Sequence, residues 1–206
     1  MGQVPDPSRK KRRAALAGHL GDIDAARQLL ADDDLSVRST ALGALARAGG
    51  LTGSDLASAL TDPQAVVRRR AVEILASLPD GDPLATDLSL LRLLDDPDDS
   101  VVEVAAWACG ERAAVEPAAV HRLSELAVDH PDALVREAAV AALGALGDEL
   151  GLPAILVATS DKATVRRRAV LALASFEGPD VESALQRACT DRDWQVRQAA
   201  EDLTTG

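Results

Sequence analysis

Asp191-Arg192-Asp193-Trp194-Gln195-Val196-Arg197-Gln198-Ala199-Ala200 holds, in one short stretch, the pattern that decides the fold. An acid-rich turn comes first, then Val-Arg, then a small residue four positions after the Val. The arrangement recurs at Val37-Arg38 with Ala41, Val67-Arg68 with Ala71, and Val102-Glu103 with Ala106. It recurs again at Val135-Arg136 with Ala139 and Val165-Arg166 with Ala169. Successive Val positions lie 30, 35, 33, 30 and 31 residues apart. A period of this length, held over six copies, marks a stacked repeat architecture.

Each copy reads as a pair of helices. A short apolar-periodic segment precedes the Val, as in Asp55-Leu56-Ala57-Ser58-Ala59-Leu60. Asp and Pro fill the turn between the two helices, as in Asp62-Pro63, Asp96-Pro97-Asp98 and Asp191-Arg192-Asp193. Asp at a helix start accepts hydrogen bonds from free N–H groups and opposes the positive helix end, and Pro is tolerated in the first turn. In the second helix the Val and the residues four, seven and eight later share one stripe, for example Val67, Ala71, Ile74 and Leu75. Gly49-Gly50, Gly147 and Gly178-Pro179 close the pairs.

The segment Asp191–Arg197 resembles the HEAT-like repeats of the phycobilisome-lyase type, whose second helix opens with Asp, a Trp or similar residue, Val-Arg and a spaced Ala. The resemblance runs over roughly residues 22 to 204. It implies an all-α fold, an α-solenoid wound as a right-handed superhelix of about six helical hairpins, with second helices lining a concave face. Predicted repeats span residues 22–48, 54–78, 84–113, 116–146, 149–176 and 179–204 of one domain covering 1–206. The basic segment from Ser8 to Leu20 is predicted to be an N-terminal cap helix.

Composition narrows the function. Aromatics are 1% of a chain that is 47% apolar, so Ala, Leu and Val must carry the core through many small contacts. Net charge is −11, from 33 acids against 22 bases, and a nucleic-acid binder would need a strongly basic face. No apolar run approaches the roughly 18 residues of a membrane helix. Asp6 stands where a myristoylation signal at Gly2 would need Ser or Thr. Cys109 and Cys189 are expected to be small apolar core residues, and a reducing cytoplasm is expected. His19, His121 and His130 are isolated, and no metal-ligand spacing, phosphate loop or nucleophile elbow occurs. These observations predict a monomer without cofactor or metal. It is expected to be not an enzyme but an interaction scaffold for a partner protein, with no nucleic acid or membrane as partner. The alternative is a subunit or chaperone of a tetrapyrrole-handling, lyase-like or nucleobase-handling enzyme.

Two sets of residues stand out. Arg38, Arg68, Arg136, Arg166 and Arg197 follow the stripe Val and are expected to form an inter-repeat ladder, each pairing with an Asp of a neighbouring turn. Glu103 interrupts that series. Val67-Arg68-Arg69-Arg70 and Val165-Arg166-Arg167-Arg168 are near-duplicates whose additional arginines turn away from the core stripe. A partner surface is therefore expected at Val104, Trp107, Ala108 and Glu111, flanked by Arg69, Arg70, Arg167 and Arg168. Trp107 reads either as packing against the next helix or as the centre of that surface, and Trp194 as a structural residue.

Overall fold

The computed structural model describes residues 7–84, 88–113 and 115–204. Gly2, Asp6 and residues 85–87, which bear on the expectations above, lie outside them. Among the described residues there are twelve α-helices and no strand. They fall into two compact units, Met1–Leu88 and Ser89–Gly206.

The first unit holds α1 (Pro7–Leu20), α2 (Ile23–Arg27), α3 (Leu35–Ala48), α4 (Gly53–Ala59) and α5 (Ala65–Ser77). Helix α1 packs along α3 as the cap helix: Ala14 and Ala17 are buried, and a Cβ on Gly18 would stand 2.8 Å from the Ala44 backbone. Its basic face reaches down to the first turn, where Lys10 Nζ donates to Asp32 at 2.7 Å. Asp34 caps α3 by accepting the N–H groups of Ser36 and Val37, and Gly49 ends it at φ 68°, a conformation that costs glycine little.

The second unit holds α6 (Asp99–Gly110), α7 (Pro117–Asp129), α8 (Ala133–Leu146), α9 (Leu152–Ala158), α10 (Ala163–Ala172), α11 (Pro179–Ala188) and α12 (Trp194–Thr204). Helix α6 packs on α8, α8 on α10, and α10 on α12. A Cβ on Gly144 would lie 2.7 Å from the Ala172 backbone, so glycine there sets how closely α8 and α10 approach. Among the described residues between α5 and α6 there is no α-helix, only a single 3-10 turn, Leu91–Asp95. Pro97 keeps Asp96 extended at ψ 142°, which stops the short Leu-rich segment after one turn.

The helix caps correct the register of the third copy. Val37, Val67, Val135 and Val165 each stand three residues after the N-cap of their helix, at Asp34, Gln64, Asp132 and Lys162. The N-cap of α6 is Asp98, so the equivalent residue is Val101, not Val102. The Val positions are then 37, 67, 101, 135, 165 and 196. The residues four later, Ala41, Ala71, Ala105, Ala139, Ala169 and Ala200, are all completely buried.

Candidate functional site

At Arg38, Arg136 and Arg166 the arginine after the stripe Val is a structural tie between neighbouring turns, whereas Arg197, expected to pair with a neighbouring Asp, donates to a carbonyl of its own turn. Arg136 donates through Nε and Nη2 to both carboxylate oxygens of Asp161 at 2.6 and 2.9 Å, and through Nη1 to the carbonyls of His130 and Pro131. Arg166 repeats the arrangement with Asp191 at 2.9 and 2.7 Å, donating also to the carbonyl of Asp161. Arg38 does so with Asp62 at 3.0 Å through both nitrogens. Arg68 and Arg197 each donate to the carbonyl of the turn before their own helix, at Asp62 and Asp191. One guanidinium thus joins its own turn to the next one, which fixes the offset between stacked hairpins.

Electrostatics follow from this geometry. Hydrogen bonds from Arg136 hold the Asp161 carboxyl below the usual range, and Arg166 does the same for Asp191. Burial pushes Asp62 upward, but Arg38 and the Gln64 N–H outweigh it, and the carboxyl ends below its ordinary value. Arg136 and Arg166 are buried despite their charge.

The third copy lacks this tie in both members. In the corrected register Val102 occupies the arginine position, and the equivalent of Asp62 and Asp191 in the following turn is His130. His130 Nδ1 accepts the Asp132 N–H at 3.2 Å, the same local bond that Asp62 makes to Gln64 and Asp191 to Asp193. Glu103 therefore does not interrupt the ladder. It stands two residues past Val101, in line with Ser39, Arg69, Glu137, Arg167 and Gln198, and has no ion-pair partner among the described residues.

The same shift rearranges the expected partner surface. Ala108 falls on the core row with Ala44, Ile74, Ala142 and Ala172 and is completely buried; Val104 is 7% exposed. Neither can touch a partner. Trp107 moves to the sixth position after the Val, in line with Glu73, Ala141, Leu171 and Asp202, and is 43% exposed. Glu111 is exposed at the end of α6. In the first unit, Arg69 and Arg70 share Glu73, at 3.5 and 2.9 Å, and Arg70 lies over Gly43. In the second, Arg168 pairs with Glu137 at 3.5 Å, while Arg167 is exposed and has no ion-pair partner among the described residues.

Trp194 is not a packing residue. It opens α12 and is 64% exposed, because the first helical residue precedes the buried stripe; Leu35, its counterpart in α3, is also exposed. With Arg167, Leu171, Gln195, Gln198, Ala199 and Asp202 it lines a shallow cleft of about 120 Å³ between α10 and α12. Trp107 of α6, Leu134 of α8 and Trp194 of α12 are each exposed. The repeat signature that located the helices treated Trp194 as part of the scaffold, and only its distance from the N-cap could have placed it outside.

Other chemistry is sparse. Among the described residues no cluster of three or more His, Cys, Asp or Glu side chains is arranged to hold a metal. Both cysteines are free, and burial pushes the Cys109 thiol up to about 12. A thiol in that state supplies no thiolate at neutral pH. No helix among the described residues is long and apolar enough to cross a membrane.

Comparison with known proteins agrees with this architecture. The sequence profile of HEAT repeats matches residues 23–108, 53–144 and 87–163, and that of the PBS lyase HEAT-like repeat matches 165–191. No curated protein matches the chain. Among solved structures it is similar to YibA of Escherichia coli, at 19% identity and TM-score 0.75 over 98% of this chain and 78% of that one. It is also similar to a designed armadillo repeat protein in complex with the peptide (KR)4, at 22% identity and TM-score 0.63 over 90% of this chain and 98% of the other. An engineered protein gives 24% identity and TM-score 0.64 over 90% and 99%. Repeat spacing, helix pairs and profile matches over most of its length together place this chain in the HEAT-repeat family.

Proposed function

We propose that this protein is a non-enzymatic interaction scaffold, and that its second unit binds a partner protein across the exposed surface of α6, α8, α10 and α12. The observation that carries this reading is the exposure of Trp107 and Trp194. A chain with so few large side chains gains most by burying them; leaving Trp107 43% and Trp194 64% exposed forgoes roughly 1–2 kcal/mol of burial apiece. Exposed tryptophans beside arginine, set on rigid helices, are the composition of a binding hot spot. With about 9 Å between packed helices and 1.5 Å rise per residue, the two indoles lie roughly 30 Å apart, the length of a helical segment of about 20 residues. The armadillo-type relative whose structure contains a bound peptide supports reading this fold as a peptide-holding surface. Arg69 and Arg70 form the corresponding proposed contact point of the first unit, with Glu73 as the group a partner must displace.

Partner capture from the cells that naturally contain the protein tests the reading. Trp107→Ala and Trp194→Ala should each reduce recovery of the same partner while leaving the thermal midpoint within a degree or two, since neither side chain is core. Undiminished recovery with both tryptophans removed would refute this surface and direct attention to α7, α9 and α11.

A further inference from the structure

The cleft between α10 and α12 also indicates what kind of segment it takes. Resting on the reading that this surface binds protein, we propose that it captures an acidic linear segment, with Arg167 pairing to a carboxylate and Trp194 and Leu171 holding the apolar residue beside it.

Three consecutive arginines in α10 have three different fates. Arg166 is buried and held by Asp191, and Arg168 is paired to Glu137. Arg167 alone among them projects into the cleft with no ionic partner among the described residues. The acid lining the same cleft, Asp202, already accepts the Gln198 amide at 2.7 Å. Asp202 keeps its charge under that single amide bond and, like Arg167, makes no ion pair among the described residues. The acidic segment is therefore inferred from Arg167 itself: a guanidinium takes a carboxylate in paired hydrogen bonds better than any other side-chain acceptor. The Gln195 side chain stands beside it, and an amide can both donate to and accept from a peptide backbone. The indole and Leu171 supply the apolar floor.

The net charge of −11 opposes an acidic ligand at long range. At physiological salt that repulsion is screened beyond about 8 Å, whereas the contact with Arg167 is made at hydrogen-bond distance. The acidic surroundings then act as a filter, admitting a short acidic motif and rejecting a long polyanion.

Trp107→Phe leaves Trp194 as the single indole, so its emission reports this cleft. The probe is acetyl-Gly-Asp-Leu-Asp-Gly-amide, set against the same peptide with Asn or with Lys in place of Asp, and against a single-stranded oligodeoxynucleotide. The acidic peptide should give a saturable change, weakened about tenfold or more by Arg167→Gln and partly restored by Arg167→Lys, with circular dichroism unchanged. The Asn peptide should bind about tenfold more weakly. Equal binding of the Asn peptide, tighter binding of the Lys peptide or the oligonucleotide, or indifference to Arg167→Gln would each overturn the proposal. If no peptide binds while Trp194→Ala still loses the native partner, the acidic motif falls and the protein-binding surface stands. If Trp194→Ala captures normally but the acidic peptide binds through Arg167, the surface reading falls instead.

Discussion

Val102 stands where Arg38, Arg136 and Arg166 stand in their own helices, and His130 stands where Asp62 and Asp191 stand in their turns, so the third ladder position replaced both ions together. Had only the arginine been lost, a turn carboxylate would remain buried without its partner, at a cost of about 1–3 kcal/mol. Histidine keeps the local bond to the Asp132 N–H through Nδ1, and its Nε2 stands 3.7 Å from the Asp99 carboxylate of α6. The pairing of the two changes predicts a coupled repair. Val102→Arg alone should destabilise, because it sets a guanidinium at a buried position against His130 instead of the turn carboxylate that receives it in the other copies. Val102→Arg combined with His130→Asp should recover that loss, with a favourable coupling of about 1 kcal/mol in a double-mutant cycle read from urea denaturation. Strict additivity would contradict the placement of Val101 on the stripe.

Arg136 and Arg69 should differ in their contribution to stability. Removing the Arg136 side chain leaves Asp161 with only the Lys162 N–H and takes the donor from two turn carbonyls in a mostly buried setting. Arg136→Ala is expected to cost about 2 kcal/mol. Arg69 is 42% exposed and only weakly held by Glu73, so Arg69→Ala should stay within about 0.5 kcal/mol. Equal unfolding midpoints for the two variants would count against the ladder as a structural element.

Acid should weaken the fold through the same ties. Asp161 and Asp191 are held below the ordinary value of 3.8 by their arginines, and Asp62 also ends below it. A carboxyl with a depressed value in the folded state contributes stability that is present above its unfolded value and disappears as pH falls through the folded one. The loss should therefore set in below about pH 4. Urea midpoints should be nearly level from pH 7 to 5 and drop between pH 4 and 2. The drop should be smaller in Arg166→Ala, which has already lost one tie. A profile that falls between pH 7 and 5 would implicate groups other than these.

Deletion of residues 7–20 should lower the thermal midpoint without abolishing helicity. Helix α1 covers Ala41, Ala44 and their neighbours on α3, and repeat stabilities add approximately through nearest neighbours. Complete unfolding of the truncated chain would show that α1 nucleates the fold rather than capping it.

The all-helical HEAT-type pattern and the cap helix over α3 were legible in the sequence because they rest on periodic small and apolar residues. The third pair's first helix was expected, whereas among the described residues only the 3-10 turn Leu91–Asp95 stands there. The slip at the third copy arose at Val101-Val102, where two adjacent valines fit the stripe and the charged Glu103 resembled a substituted arginine. Capping chemistry does not separate the two in sequence, since three residues after Asp98 is Val101 and three after Asp99 is Val102; the N-cap at Asp98 in the structure selects Val101. That single step moved Trp107 outward and Val104 and Ala108 inward. The spacing of Arg69 and Arg70 to Glu73 along α5 could have been read as i,i+4 and i,i+3 pairs, whereas the pairing of Arg168 with Glu137 was not legible, since it depends on how α10 meets α8. The Arg167–Trp194 cleft was hidden for the same reason: its two halves lie 27 residues apart and meet only through the stacking of α12 on α10.

Site-directed photo-crosslinking in the native host tests most directly whether the partner lies on the α6, α8, α10 and α12 surface. A benzophenone side chain introduced at Gln198, exposed in the cleft, is compared with one at Val157, which is 57% exposed on α9. A discrete protein adduct is expected from position 198, disappearing with Trp194→Ala, and none from position 157. An adduct from position 157 with none from 198 would contradict the proposed surface.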